Sequence, residues 1–291
     1  ESEKATGGEE GGGRVSVCGK DEQQEEQHHE VRNQRKGKEV THRINELQRI
    51  FKSITHITEN VIHSSVRSTF LRKMEGCACE GKRCEEGRCE CFLGFGYRQC
   101  NSRCICIGAT CDNRSLLSGS PYVRRNELEI FFSEGKSWGL RTCVPITCGS
   151  FVVEYVGEYI SIQEYKARNK KGKALNYQLM VKEHFPKQNI VLRHVIDATK
   201  MGNCARYINH NCTPNLEVRP LRVDTMLPRF GLFAKRDIRK GEELCISYGN
   251  PPPESCRAFA QKCHCGSPEC SGYLPYDPNA DRREDPKSQA S

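Results

Sequence analysis

No run of about 18 apolar residues occurs in this chain of 291 residues, and its opening stretch does not show a basic segment followed by an apolar one. The expectation is a protein that neither enters nor crosses a membrane. A glycine-rich turn between a strand and a helix is missing too. The GEEGGG run near the start follows no strand pattern and opens no helix, so it reads as low complexity and a doubly wound nucleotide fold is excluded. Residues 1–38 have hardly an apolar side chain and cannot offset the entropy of ordering, so they are expected to be a disordered tail. Tryptophan is nearly absent, leaving Trp138 as the single indole.

Cysteine is in excess. There are nineteen, an odd number, and nine of them crowd the stretch from Cys77 to Cys111. Neighbours one residue apart are badly placed to bridge each other but readily share a metal, so reduced, metal-bound thiolates are expected over disulfides. Three tetrahedral zinc ions require twelve ligand positions, which nine thiolates supply when three of them bridge two metals. Such a cluster would hold a segment with almost no apolar core of its own, because a structural zinc contributes on the order of 10 kcal/mol. The alternative is several separate sites with irregular ligands. A net charge of +8 suits a chromatin or nucleic-acid surface without requiring one.

Between the tail and the cysteines, Val40, Ile44, Leu47, Phe51, Ile54 and Val61 recur at three- and four-residue steps, which predicts an amphipathic helical segment over residues 39–75. Its apolar face is expected to pack on the domain that follows, with a helical partner through residues 40–61 as the alternative. Residues 121–250 alternate short apolar runs (EIFF, FVVEYV, VIDA, FGLFA, LCISY) with Gly, Pro and charged turns, and SIQEYKARN is the clearest helical pattern among them. The expectation is a mostly β (α+β) architecture of small twisted sheets.

The nine-cysteine stretch resembles the pre-SET module of histone lysine methyltransferases. Downstream stand KSWGLRT (Lys136 to Thr142), EYVGE (Glu154 to Glu158), GNCARYINHNCTPN (Gly202 to Asn215), GEELCISYG (Gly241 to Gly249) and CHCGSPEC (Cys263 to Cys270), the marks of SET and post-SET modules in their order. The resemblance covers about residues 76–275. It implies a pre-SET zinc cluster at 76–120, a SET catalytic domain at 121–250 with a knot-like C-terminal crossing between NHNC and ELCISY, a post-SET zinc tail at 251–275 and a disordered tail at 276–291. It also implies methyl transfer from S-adenosylmethionine to a lysine of a histone H3 tail on the nucleosome, in the nucleus and on chromosomes. The nine-cysteine module points to lysine 9, with lysine 36 or a non-histone lysine as the alternative.

Residue by residue, the resemblance makes Tyr248 and Tyr177 the aromatics at the transfer point. Lys136, Ser137, Trp138, Gly139, Tyr177, Arg206, Asn209 and His210 would lie along the cofactor. Three zinc ions would take Cys77, Cys79, Cys84, Cys89, Cys91, Cys100, Cys104, Cys106 and Cys111. A fourth would take Cys212, Cys263, Cys265 and Cys270. Two departures stand out: Asn211 replaces the family's usual serine and Ser247 the aspartate before the last tyrosine. If they removed turnover, the chain would be a zinc-stabilised chromatin-binding module. Ile246 stands where relatives often carry Phe or Tyr, which points to room for two or three methyl groups.

Overall fold

The computed structural model describes residues 39, 41–76, 99–100, 103–104, 125–169 and 177–275. Two compact units divide the chain, Glu1–Lys52 and Ser53–Ser291. The first contributes most of a helix over residues 41–53. The second carries thirteen short strands among its described residues, in five small sheets.

The helix predicted to run through Val61 ends at residue 53, and the chain continues as an extended strap. Thr55–His56 (β1) pairs in parallel with Met201–Gly202 (β9), and Val61–Ile62 (β2) with the start of Glu158–Ile160 (β6). The β-branched SITHIT and NVI stretches lose little as strands, and tertiary pairing supplies what a helix would have supplied locally. The N–H groups of Thr55, Ile57, Val61 and His63 donate to backbone carbonyls of Lys200, Gly202, Gly157 and Tyr159. Asn60 adds a side-chain clasp, its Oδ1 accepting from Gly157 N at 3.0 Å.

Leu128–Ser133 (β3) and Ser137–Thr142 (β4) form an antiparallel hairpin. Leu216–Leu221 (β11), Arg229–Ala234 (β12) and Phe151–Tyr155 (β5) form a three-stranded sheet. β2 and β6 continue through Ile190–Asp197 (β8) to Gln178–Phe185 (β7). Leu140, Val152, Val195, Ile196, Phe230, Leu232 and Leu244, all fully buried, form the core, and all but Leu140 come from the apolar runs singled out in the sequence. Gly231 is required by packing, since a Cβ there would meet Phe233 Cε2 at 2.7 Å.

SIQEYKARN is helical over Ile162–Asn169. Ser161 Oγ caps it by accepting from Glu164 N at 3.1 Å. The two stretches expected to cross do meet: Asn209–His210 (β10) lies parallel to Cys245–Ile246 (β13), with Asn209 opposite Cys245 and His210 opposite Ile246. Asn215 ties the crossing together. Its Nδ2 donates to Glu242 Oε1 and to the Glu243 carbonyl, both at 2.8 Å, and its Oδ1 accepts from Cys245 N at 2.9 Å.

Seven of the nine clustered cysteines lie outside the described residues, as do the two tails. Cys100 and Cys104 are described and fully buried.

Candidate active site

The parallel pair β10–β13 delivers three functional side chains to one place. Tyr248 stands two residues past the end of β13, and its backbone N–H donates to His210 Nδ1 at 3.1 Å while its hydroxyl donates to the Ile208 carbonyl at 2.9 Å. The ring is 43% exposed but its hydroxyl end is turned inward. Burial, reinforced by Cys245 and Glu243, pushes that phenol well above its ordinary range, so it is a neutral hydroxyl at physiological pH. His210 is buried, and desolvation together with Lys136 pulls it below its ordinary value, which leaves Nδ1 free of a proton to accept from Tyr248.

The β3–β4 hairpin brings the KSWG segment against β10. Trp138 is buried and packs edge-on against Phe132 with centroids 5.5 Å apart. Its indole Nε1 has no hydrogen-bond partner. Gly139 sits where a Cβ would meet Glu243 Oε1 at 2.9 Å and Asn209 Nδ2 at 3.1 Å. Asn209 Nδ2 donates to the Trp138 carbonyl at 3.2 Å and to Glu243 Oε1 at 2.9 Å, and Lys136 is ion-paired with Glu243. Ser137 is held at a φ of 66°, a left-handed conformation that a non-glycine residue adopts only when its surroundings demand it.

Glu243 was missed in the sequence. It stands within the quoted GEELCISYG run, yet its partner Lys136 is 107 residues away, so no local pattern marks it as the group that holds both Lys136 and Asn209. Tyr177 stands just before β7, and its carbonyl accepts from Tyr155 Oη at 3.0 Å. The Arg206 guanidinium lies 3.7 Å above the Tyr177 ring centroid, so this residue meets the site through an aromatic face. The substituted positions have local partners. Asn211 Oδ1 accepts from Thr213 N at 2.8 Å, and Ser247 Oγ donates to the Gly249 carbonyl at 3.1 Å.

The sulfur atoms of Cys212, Cys263, Cys265 and Cys270 all lie within 4.8 Å of one another. Cys212 Sγ is 4.0 Å from both Cys263 Sγ and Cys270 Sγ. Four thiolates about 2.3 Å from a tetrahedral zinc stand about 3.8 Å apart, so this set fits that ion. Burial opposes ionisation at Cys265, but N–H groups of Cys212 and Ser267 outweigh it and bring this thiol down to about 6. The tail also touches the KSWG hairpin, since a Cβ on Gly135 would lie 3.3 Å from His264 Cβ. It returns to the tyrosine as well, with Pro275 beside Gly249.

The family model described as "SET domain" matches residues 137–249. The histone-lysine N-methyltransferase SETMAR of Mus musculus is 33% identical over 234 residues, covering 69% of this chain and 74% of that protein. The probable histone-lysine N-methyltransferase set-23 of Caenorhabditis elegans is 34% identical over 221 residues, covering 69% of this chain and 87% of the relative. The crystal structure of the methyltransferase domain of human SETMAR superposes with a TM-score of 0.62 at 27% identity, over 77% of this chain and 90% of that one.

Proposed function

The chain belongs to the SET-domain family, and from that premise we propose that it is a protein-lysine N-methyltransferase acting on a histone H3 tail, with lysine 9 as the acceptor and S-adenosylmethionine as the donor. The inward-turned Tyr248 hydroxyl, set at the β10–β13 crossing beside His210 and Asn209, is the observation that carries this reading.

The KSWG hairpin and β10 fit the donor. Trp138 Nε1 is a buried hydrogen-bond donor without a partner among the described residues, Lys136 is ion-paired with Glu243, and Gly139 lets Glu243 and Asn209 pack close against the hairpin. Lys136, Ser137, Trp138, Gly139, Tyr177, Asn209 and His210 would line the cofactor, and Arg206 would brace Tyr177 from behind. When bound, S-adenosylmethionine supplies an electrophilic methyl on a sulfonium. The chain's own residues align a lysine amine with it and exclude water.

Lysine must arrive neutral. With an ordinary pKa near 10.4, on the order of one lysine in a thousand is neutral at pH 7, so an aromatic and buried setting is needed to lower that cost. Tyr248 is suited to orient the amine, because its protonated hydroxyl is already committed as a donor to Ile208 and keeps lone pairs to accept from the substrate. Four zinc ions complete the reading, three on the nine clustered cysteines and one on the C-terminal four. A histone substrate places the enzyme in the nucleus, on chromatin.

The test is transfer of labelled methyl from S-adenosylmethionine to H3 tail peptides that differ only at lysine 9 or lysine 36. Incorporation should vanish when lysine 9 is replaced and fall at least a hundredfold in Tyr248→Phe. Loss only with lysine 36 replaced would move the site. No incorporation by zinc-replete, folded protein on peptides or nucleosomes would favour a chromatin-binding module.

Ile246 is 1% exposed and lies in β13 opposite His210. A branched aliphatic chain there offers no hydroxyl to restrain a methylated amine, so di- and trimethyl-lysine are the expected products. Ile246→Tyr should shift the mass spectrum of the product towards monomethyl-lysine. A wild-type product that stops at one methyl group would refute the assignment.

A further inference from the structure

We propose that Arg206 is an electrostatic positioning residue, whose buried charge disfavours the ammonium form of the substrate lysine behind Tyr177. This rests on the methyltransferase reading above. Two arginines are buried among the described residues, and they are treated differently. Arg222 is neutralised by a bidentate ion pair to Glu183. Arg206 has no carboxylate partner among the described residues. Its Cζ stands 3.7 Å over the Tyr177 ring and 5.2 Å from the Tyr207 centroid. Nη2 reaches the Thr199 carbonyl at 3.4 Å and Nη1 the Tyr207 hydroxyl at 3.5 Å, both long, and Nε has no partner at all.

A guanidinium taken out of water without a counter-charge is costly, and stacking on two rings recovers only part of that cost. The charge is therefore uncancelled where it stands. Its surroundings carry little that would screen it. Among the described residues, the titratable groups around it are the phenols of Tyr155, Tyr177, Tyr207 and Tyr248, the Cys204 thiol and the Asp197 carboxylate. Burial pushes the phenols of Tyr155, Tyr207 and Tyr248 up, so these remain neutral. Asp197 is already committed to Arg168 Nη1 at 2.9 Å, Gln178 Nε2 at 3.1 Å and Thr199 N at 3.0 Å.

A lysine amine that enters this aromatic site meets a fixed positive charge across the Tyr177 ring. Like charge in a poorly solvated setting lowers an amine's pKa, by about one unit for charges about 10 Å apart at an effective dielectric constant of about 20. The guanidinium would thus hold the nucleophile neutral before any transfer occurs. It would do so without touching the reacting atoms.

Single-turnover methyl transfer to the H3 peptide, measured from pH 6 to 10, separates this role from simple bracing. Arg206→Gln should move the acid limb of the profile up by about one unit, a loss of about tenfold near neutrality that closes at high pH. Arg206→Lys should restore much of the limb. With a peptide whose acceptor is the less basic aminoethylcysteine, the Arg206→Gln deficit should close at a pH about one unit lower. If the glutamine variant folds poorly, Arg206→Met, which keeps the packing on both rings, carries the same comparison. A deficit equal at every pH, or one that closes at the same pH for both amines, would overturn the proposal. Failure of the unaltered chain to turn over would remove the methyltransferase reading and this inference with it, whereas normal turnover with an unmoved limb would sink the role of Arg206 alone.

Discussion

Arg222→Ala is expected to destabilise the fold by about 3–5 kcal/mol, because it strands a buried carboxylate. Glu183 is 8% exposed and accepts from Arg222 Nη1 at 3.0 Å, from Arg222 Nη2 at 2.7 Å and from His194 Nε2 at 2.7 Å. His194 passes the chain of bonds on, its Nδ1 lying 2.6 Å from Tyr159 Oη. His194 thus links Glu183 to Tyr159 through one ring. Replacing Arg222 and Glu183 together by methionine should recover part of the loss, because the unpaired charge is gone although His194 Nε2 loses its acceptor.

Urea denaturation of the two variants checks this. A loss below about 1 kcal/mol for Arg222→Ala would sink it. The same pair sets an acid sensitivity. Burial pulls the Glu183 carboxyl up, but His194 and Arg222 outweigh it and hold the group down to about 2, against an ordinary 4.5. A carboxyl whose folded pKa is depressed stabilises fully above its unfolded value and stops doing so as pH falls through the folded one. Its contribution should therefore fade between about pH 4.5 and pH 2.

The consequence reaches the cysteine-rich segment. The Arg222 carbonyl accepts from Gln99 N at 2.7 Å and the Asp224 carbonyl from Met74 N at 2.9 Å, while Lys73 bridges Thr225. Loosening Arg222 should speed hydrogen exchange at Met74 and Gln99 before it affects Leu140 or Val195.

Cys265→Ser is expected to have the second large effect, on activity more than on the core. Between Pro253 and Pro275 no side chain is buried, so hydrophobic packing does not hold this tail in place. What holds it are the four sulfurs and a few polar contacts such as Thr213 Oγ1 to Ser267 Oγ at 2.8 Å. Structural zinc contributes on the order of 10 kcal/mol, far beyond what those contacts supply. The variant should lose one equivalent of zinc and at least a hundredfold in methyl transfer, with a small change in the unfolding of the SET core. Full zinc content, or wild-type turnover in the variant, would refute the pinning role of this cluster.

How much of this was legible in the sequence depends on how far apart the partners are. Short-range chemistry was open to reading: the CxC spacing of Cys263 and Cys265, the apolar runs that became β5 and β12, and the helix at Ile162–Asn169. The spacing of Cys263, Cys265 and Cys270 called for one more ligand, and the ordered motifs supplied Cys212. The helical reading of residues 54–61 failed because Ile54 and Val61 are seven residues apart with β-branched residues between them, and pairing with β9 and β6, which no local period announces, decided for strands.

Sequence by itself determined the residue types, the local periods and the order of the motifs. Tertiary structure alone decided which charges are cancelled. Glu183 and Arg222 are 39 residues apart, and Lys136 and Glu243 are 107 apart, while Arg206 finds an aromatic face and no carboxylate. The physical reason is that an arginine looks the same in a sequence whether it ends up paired or bare. Its electrostatic effect is set by burial and by the distance to its neighbours, and both exist only once distant strands have come together.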